Sequence, residues 1–425
     1  MMTVPRWLVA VAALSFASPV SAQVTAIRAG RVIDTETGTA TSNQVILVEN
    51  GKITAVGADV AVPQGATVID LSRATVLPGL FDAHTHLCMS VQLQRDAASY
   101  YLTTLFDPDS YRAVVGVANA RTMLESGFTT VRDIGNEGEF ACTSVRWGIE
   151  RGLIDGPTII NAGRIIAPYG GQFQLQPDRR GLAEPEYFFA DTRDEMRKAI
   201  RENIHYGARV IKIVVDDQPY IYSTDDIKFM VAEARAAGVK LAAHVWTRAG
   251  AHNAAAAGVA SLEHLNGISD EDLAVAKANG TVAVFTPFPL AVLESFRMAP
   301  GRAQAEYRTE IDRLAAGYRV GIPIAFGSDA IHDLPGLTRG AQTLLWIDSY
   351  AEAGLPPRAI LRAMTGNAAR LLGVDHERGA IRAGLAADLI AVPDNPLENI
   401  QALKQVMFVM KNGRVIRSDT ARATS

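Results

Sequence analysis

Leu77-Pro-Gly-Leu-Phe-Asp-Ala-His-Thr-His-Leu87 sets two imidazoles one residue apart at the end of an apolar, β-leaning run. In a strand, residues i and i+2 share a face, so His84 and His86 can grip one cation from the same side. Taken alone, the pair reads equally well as two surface histidines. What separates the readings is whether the rest of the chain places comparable residues at comparable points.

Working outward, the middle of the chain alternates β-rich apolar runs with helical patterns such as Asp225–Ala237 and Ala249–Ala257, the signature of βαβ units. Eight runs qualify: Thr75–His86, Thr129–Asp133, Thr158–Ala162, Val210–Val214, Lys240–His244, Ser261–His264, Thr281–Phe285 and Pro323–Asp329. Eight such units predict an α/β fold, a (β/α)8 TIM barrel over 76–372, whose chemistry lies at the C-terminal ends of its strands. Residues 23–75 and 373–425 share a different texture. Short strands flank the hairpin pairs Asn50-Gly51 and Asn412-Gly413, which predicts one small β-sandwich built from both ends of the chain.

Composition narrows the function classes. In 425 residues, 48% hydrophobic and 20% charged, the chain has an ordinary globular balance, and a net charge of −4 offers no basic field for nucleic acid. Arg6, the apolar run Trp7–Ala17 and the small residues to Ala22 read as a signal peptide over 1–22, cleaved near Ala22, which implies a secreted or periplasmic protein. No later run has spanning length, so no membrane insertion is expected. Such a compartment permits a disulfide between Cys88 and Cys142, and the sequence leaves their pairing open.

Beyond the first strand, four more carry a metal-competent residue: Lys212, His244, His264 and Asp329. Their spacing places the six side chains on strands 1, 4, 5, 6 and 8, a regularity that scattered histidines have no reason to show. Lys212 is the odd member, because a protonated amine cannot ligate a metal. Inward-pointing in an apolar strand, it requires either a counter-charge from Asp329 or Glu263, or conversion by carbon dioxide to a carbamate that bridges two cations. In the bridging case His84, His86 and Asp329 hold one ion, His244 and His264 the other, with Lys212 and a hydroxide between. Imidazole and oxygen donors with open positions suit two divalent ions, zinc first, with manganese or cobalt as alternatives.

With these motifs the chain resembles the amidohydrolase superfamily, in its branch of secreted, binuclear metal-dependent carboxypeptidases and Xaa-Pro dipeptidase-like (imidazolonepropionase-like) enzymes. The resemblance covers about 24–415 and rests on Leu77–Leu87 together with Gly127–Asp133, Val210–Ile213, Leu262–His264, Phe326–Asp329 and Gly384–Ile390. It implies a carbamylated Lys212 (N6-carboxylysine) and Asp329 as the general base and acid. The implied reaction is cleavage of N-acyl amino acids or dipeptides; similar bacterial enzymes open the amide of ochratoxin, an N-acyl phenylalanine. Where relatives often have Gly-Gly-His-Gly-Asp after strand 3, this chain has Tyr169-Gly-Gly-Gln-Phe173. Tyr222-Ser223 matches their tyrosine-serine pair, and Tyr222 is the expected carboxylate contact, with packing as the alternative.

The expected substrate contacts are Tyr169, Gln172, Tyr222, Phe288 and His332, with Tyr220 and Phe285 also on the relevant loops. This set favours a bulky or apolar leaving group on a small-molecule or short-peptide substrate. His205, His252 and His376 read as structural. Competing readings are a mononuclear barrel deaminase, which Lys212 disfavours, a hydrolase of cyclic amides or lactones, and a non-catalytic periplasmic binding protein. A homo-oligomer is left open.

Overall fold

The computed structural model describes residues 23–419 apart from Asn136 and Arg297; the segment read as a signal peptide lies outside the described residues. The two ends of the chain meet in one seven-stranded sheet. From the N-terminal side come β1 (Thr25–Asp34), β2 (Thr39–Glu49), β3 (Lys52–Gly57) and β4 (Thr67–Pro78). The barrel region holds β5 (Leu80–Thr85), β6 (Phe128–Asp133), β7 (Thr158–Asn161), β8 (Ile165–Ala167), β9 (Tyr187–Phe189), β10 (Val210–Val214), β11 (Lys240–His244), β12 (Ser261–Glu263) and β13 (Val282–Val284). The chain then returns to the end sheet through β14 (Leu389–Val392), β15 (Phe408–Lys411) and β16 (Arg414–Ser418).

The end sheet runs β16-β15-β14-β4-β1-β2-β3. The expected sandwich is therefore a single hydrogen-bonded sheet. Alternate residues of its strands, among them Ile27, Ile46, Ile53, Val76, Leu389 and Phe408, bury one common cluster, as a period-2 pattern requires.

The first expected barrel strand, Thr75–His86, divides in two. Thr75–Pro78 completes β4 by pairing with β14, and the barrel strand starts at Leu80. The break is steric: a Cβ on Gly79 would lie 2.2 Å from Thr129 Oγ1, so only glycine lets the backbone pass this close to β6.

Parallel pairing links β5-β6-β7 and β10-β11-β12-β13. β7 and β8 act as one stave, turned at Gly163 (φ +72°); Arg209 N donates to Asn161 O (2.7 Å), and Ile166 pairs with Ile213 of β10. The segment after Pro323 closes the ring. Ala283 N donates to Pro323 O (2.8 Å) on one side, while Ala83 N donates to Phe326 O (2.7 Å) on the other. Among the described residues this makes eight staves. Phe81, Val210 and Val284 interleave with the small Ala83, Ala242 and Ala325 in a shared cluster, the packed core expected of such a barrel.

Cys88 and Cys142 are joined in a disulfide, with Cα atoms 5.9 Å apart. It ties the segment after β5 to the helix Ala141–Glu150, and Gly116 of the helix Asp109–Glu125 makes room for it, since a Cβ there would meet Cys88 Sγ at 2.5 Å. Among the described residues, no helix is long and apolar enough to cross a membrane.

Candidate metal centre

His84 ends β5 with its orientation fixed from below. Asp82, two residues earlier, accepts from His84 N (3.0 Å) and from Ser328 Oγ (2.6 Å), which ties the histidine pair to the Phe326-Gly-Ser-Asp329 turn. Gly327 is required at that turn, because a Cβ would lie 2.8 Å from His84 Cβ. Asp329 and His264 both adopt left-handed backbone (φ +53° and +64°). Strain of this kind costs about 1–3 kcal/mol per residue and persists where surrounding structure enforces it.

The ring nitrogens are set by hydrogen bonds made away from the cavity. His84 Nδ1 lies 2.8 Å from Glu263 Oε2, and His86 Nδ1 lies 2.7 Å from Gly135 O. Donation from each Nδ1 leaves the Nε2 lone pair free, the arrangement in which imidazole binds metals. His84 Nε2 and His244 Nε2 are buried without a hydrogen-bond partner. His86 Nε2 faces Asp329 Oδ1 at 3.2 Å, and His244 Nε2 stands 2.9 Å from Asp217 Oδ2 but off the line of a hydrogen bond. Lone pairs that face carboxylates across such gaps fit an intervening cation.

Electrostatics favour the neutral, ligating form of His84 and His264, whereas at His86 burial is outweighed, chiefly by Asp329, and the pKa is raised. Burial, followed by the Lys212 charge, pushes His84 down to about 4. Burial with the neighbouring His244 and His84 holds His264 well below its ordinary value. Behind them, Glu263 pairs with Arg132 Nη2 at 2.7 Å, and although burial opposes it, Arg132 and His84 keep the Glu263 carboxyl well below the usual range. Lys212 is buried and, among the described residues, makes no ion pair with Glu263 or Asp329, whose charges favour its ammonium form without direct contact. Burial pushes its ammonium group down to about 8.

His84, His86, Lys212, His244, His264 and Asp329 all line one cavity of about 250 Å³. Gln172, Phe288 and His332 line it too. Two expected contacts do not: Tyr222 is buried with its hydroxyl donating to Ala190 O (2.7 Å), and Tyr169 projects outward, packing on Phe189. Tyr222 is held because its loop folds back onto the barrel wall; Tyr169 is displaced because Gly170 and Gly171 turn the chain beyond it (φ +100° and +53°). Phe285 is core and Tyr220 exposed. Sequence reasoning missed Asp217, Trp246, Asn266, Thr286, Glu310 and Arg313. For Asp217 a signal existed, an acidic pair directly after strand 4. Arg313 had none, since it sits in the charged helix Arg302–Val320.

Comparison with known proteins agrees with this geometry. The model of the Amidohydrolase family matches residues 75–416. An ochratoxinase of Aspergillus niger is 28% identical, over 95% of this chain and 89% of that protein. The crystal structure of a Xaa-Pro dipeptidase with bound methionine in its active site superposes with TM-score 0.80 at 27% identity, covering 92% of this chain and 99% of the other. A prolidase complexed with N-methylphosphonate-L-proline gives 0.82 at 25% identity, over 93% and 100%. The fold, the candidate ligands gathered at the barrel rim and these relatives lead to one conclusion: the chain belongs to the amidohydrolase family and is a hydrolase of amide bonds.

Proposed function

We propose that this protein cleaves the amide of N-acyl amino acids or dipeptides in a carboxypeptidase- or dipeptidase-like reaction, with ochratoxin among its candidate substrates. His84, His86 and Asp329 would hold one divalent cation and His244 and His264 a second, and Lys212, as its carbamate, would supply an anionic oxygen donor to the site. Zinc suits this donor set. Bound there, the pair supplies an acidified water and polarises the amide carbonyl.

The chain's own residues do the rest. Asp329 takes the proton of the attacking water and delivers it to the leaving nitrogen; general acid–base placement of this kind is worth about 10²–10⁴ in rate. Burial opposes its ionisation, but His84 and His86 hold its carboxyl below the ordinary value, so it stays ready to accept. Glu263 and Arg132 keep the His84 ring in the ligating tautomer. Phe288 and Trp246 line the walls and limit water.

The observation that carries the reading is Lys212, buried and, among the described residues, in no ion pair, in one cavity with His84 Nε2 and His244 Nε2, which lack hydrogen-bond partners. Its depressed pKa makes neutral amine, the form that reacts with carbon dioxide, accessible near neutrality. The relatives support the substrate class through the ochratoxinase, the methionine-bound dipeptidase and the prolidase. A location outside the cytoplasm is proposed from residues 1–22, and the Cys88–Cys142 bridge supports it.

The test is a metal count combined with hydrolysis of N-acetyl amino acids, dipeptides and ochratoxin by the metal-loaded enzyme. Two ions per chain, amide turnover, and a carbamate carbon signal after growth in labelled bicarbonate are expected. One ion per chain and deamination without amide cleavage would restore the mononuclear deaminase reading.

A further inference from the structure

We propose that Arg313, assisted by Asn266, anchors the carboxylate of the residue released by amide cleavage. This rests on the hydrolase reading above and names how the same site selects its substrate. Arg313 projects from the helix Arg302–Val320 into the cavity that holds the histidine ring. Apart from Lys212 it is the sole lysine or arginine lining that cavity among the described residues. Its Nε is buried without a hydrogen-bond partner, and the guanidinium enters no ion pair among the described residues. Asn266, which lines the same cavity just beyond His264, likewise has its side-chain oxygen buried and unpartnered.

A cation drawn out of water without a counter-charge is unfavourable, and a native protein keeps one where a ligand completes it. Glu310, one turn earlier, does not complete it: its Oε2 accepts from Phe288 N at 2.6 Å. Burial pushes the Glu310 carboxyl up to about 8 against the lowering effect of the Arg313 charge and of Phe288 N–H, which weakens it as a counter-charge for Arg313. Two of the other candidates for a carboxylate contact are engaged elsewhere, while His332, whose Nε2 lies 3.2 Å from Ala98 O, keeps a buried Nδ1 without a partner. Tyr222 donates to Ala190 O, and Gln172 is held between Tyr187 Oη (2.7 Å) and Asp217 Oδ2 (2.8 Å). The planar guanidinium fork matches a carboxylate through two parallel hydrogen bonds, and an amide turned to present its N–H can supply a third.

The test compares N-acetyl-phenylalanine with its carboxamide on the metal-loaded wild type and on Arg313→Met, Arg313→Lys and Asn266→Ala. The wild type should prefer the acid on the order of 100-fold in kcat/KM, the range of a charge-assisted hydrogen-bonded pair. Arg313→Met should lose most of that preference through KM, acting far more on the acid than on the carboxamide; Arg313→Lys should recover part of it. Because Arg313 enters no ion pair among the described residues and its Nε lacks a partner, the thermal midpoint of Arg313→Met should equal or exceed that of the wild type. An undiminished acid preference in Arg313→Met, or no preference in the wild type, overturns the anchor and leaves the hydrolase intact. Calorimetry on the metal-free protein separates the reverse case. If 3-phenylpropanoate binds the wild type more tightly than 3-phenylpropanamide, and Arg313→Met abolishes the difference, the anchor stands even where no amide is turned over.

Discussion

Lys212 and Lys411 are both buried, and burial pushes both ammonium groups down to about 8, yet their surroundings are opposites. Lys411 lies where the end sheet meets the N-terminal end of a barrel stave. Its Nζ donates to Asp388 Oδ2 (2.7 Å) and Thr158 Oγ1 (2.9 Å). Asp388 also takes Arg378 Nη1 (2.5 Å) and Asn412 N (2.8 Å), so the buried carboxylate has a donor on each oxygen. Lys212, at the other end of the barrel, enters no ion pair among the described residues and shares a cavity with His84 Nε2 and His244 Nε2, which are buried without a hydrogen-bond partner. A buried charge with all its partners serves to hold two parts of a fold together, whereas one left without them is kept because something from outside completes it. Arg378 and Arg313 differ likewise in the pairing of their charges: Arg378 pairs with Asp388, whereas Arg313 enters no ion pair among the described residues.

Asp329→Asn tests the difference most strongly. Turnover should fall by about 10²–10⁴ while the folded barrel persists, measured as kcat beside a thermal midpoint; retained turnover would move the proton transfer to another group. Asp388→Ala should do the opposite. It strips the partner from Arg378 and Lys411 together and should cost about 3–5 kcal/mol in denaturant unfolding, with activity per folded molecule preserved. If activity falls while the midpoint holds, the seam is not merely structural.

Opening the Cys88–Cys142 bridge, which spans 54 residues, should cost about 4 kcal/mol by chain entropy. The double serine variant, compared with the wild type under non-reducing conditions, measures it. The smallest effect is the most discriminating. In metal-free protein, Lys411→Met should lose about 1–3 kcal/mol, whereas Lys212→Met should leave the midpoint unchanged or raise it. Equal losses from both would erase the distinction between the two lysines.

The six strand-end residues were legible because two local rules govern them: alternate residues of a strand share a face, and each βα unit returns the chain to the same rim. The Gly384–Ile390 motif was visible as a family feature, but its part in the seam was not, since Asp388 takes its role from Arg378, Lys411 and Asn412, which come together only on folding. Tyr222 was misassigned for a related reason. The residue follows the right strand, but whether a loop side chain enters the cavity or turns to a carbonyl such as Ala190 O depends on what packs beneath it.

Local pattern in the chain was enough to establish the barrel, the sheet from both ends, and which side chains stand at the rim as possible ligands. Which nitrogen of each histidine is free, which buried charges lack partners, and where an acidic substrate group finds a cation were settled by contacts between distant segments. His84 and Glu263 are 179 residues apart, and Arg132 and Glu263 are 131. Periodicity is a property of neighbours along the chain, while desolvation and pairing belong to neighbours in space.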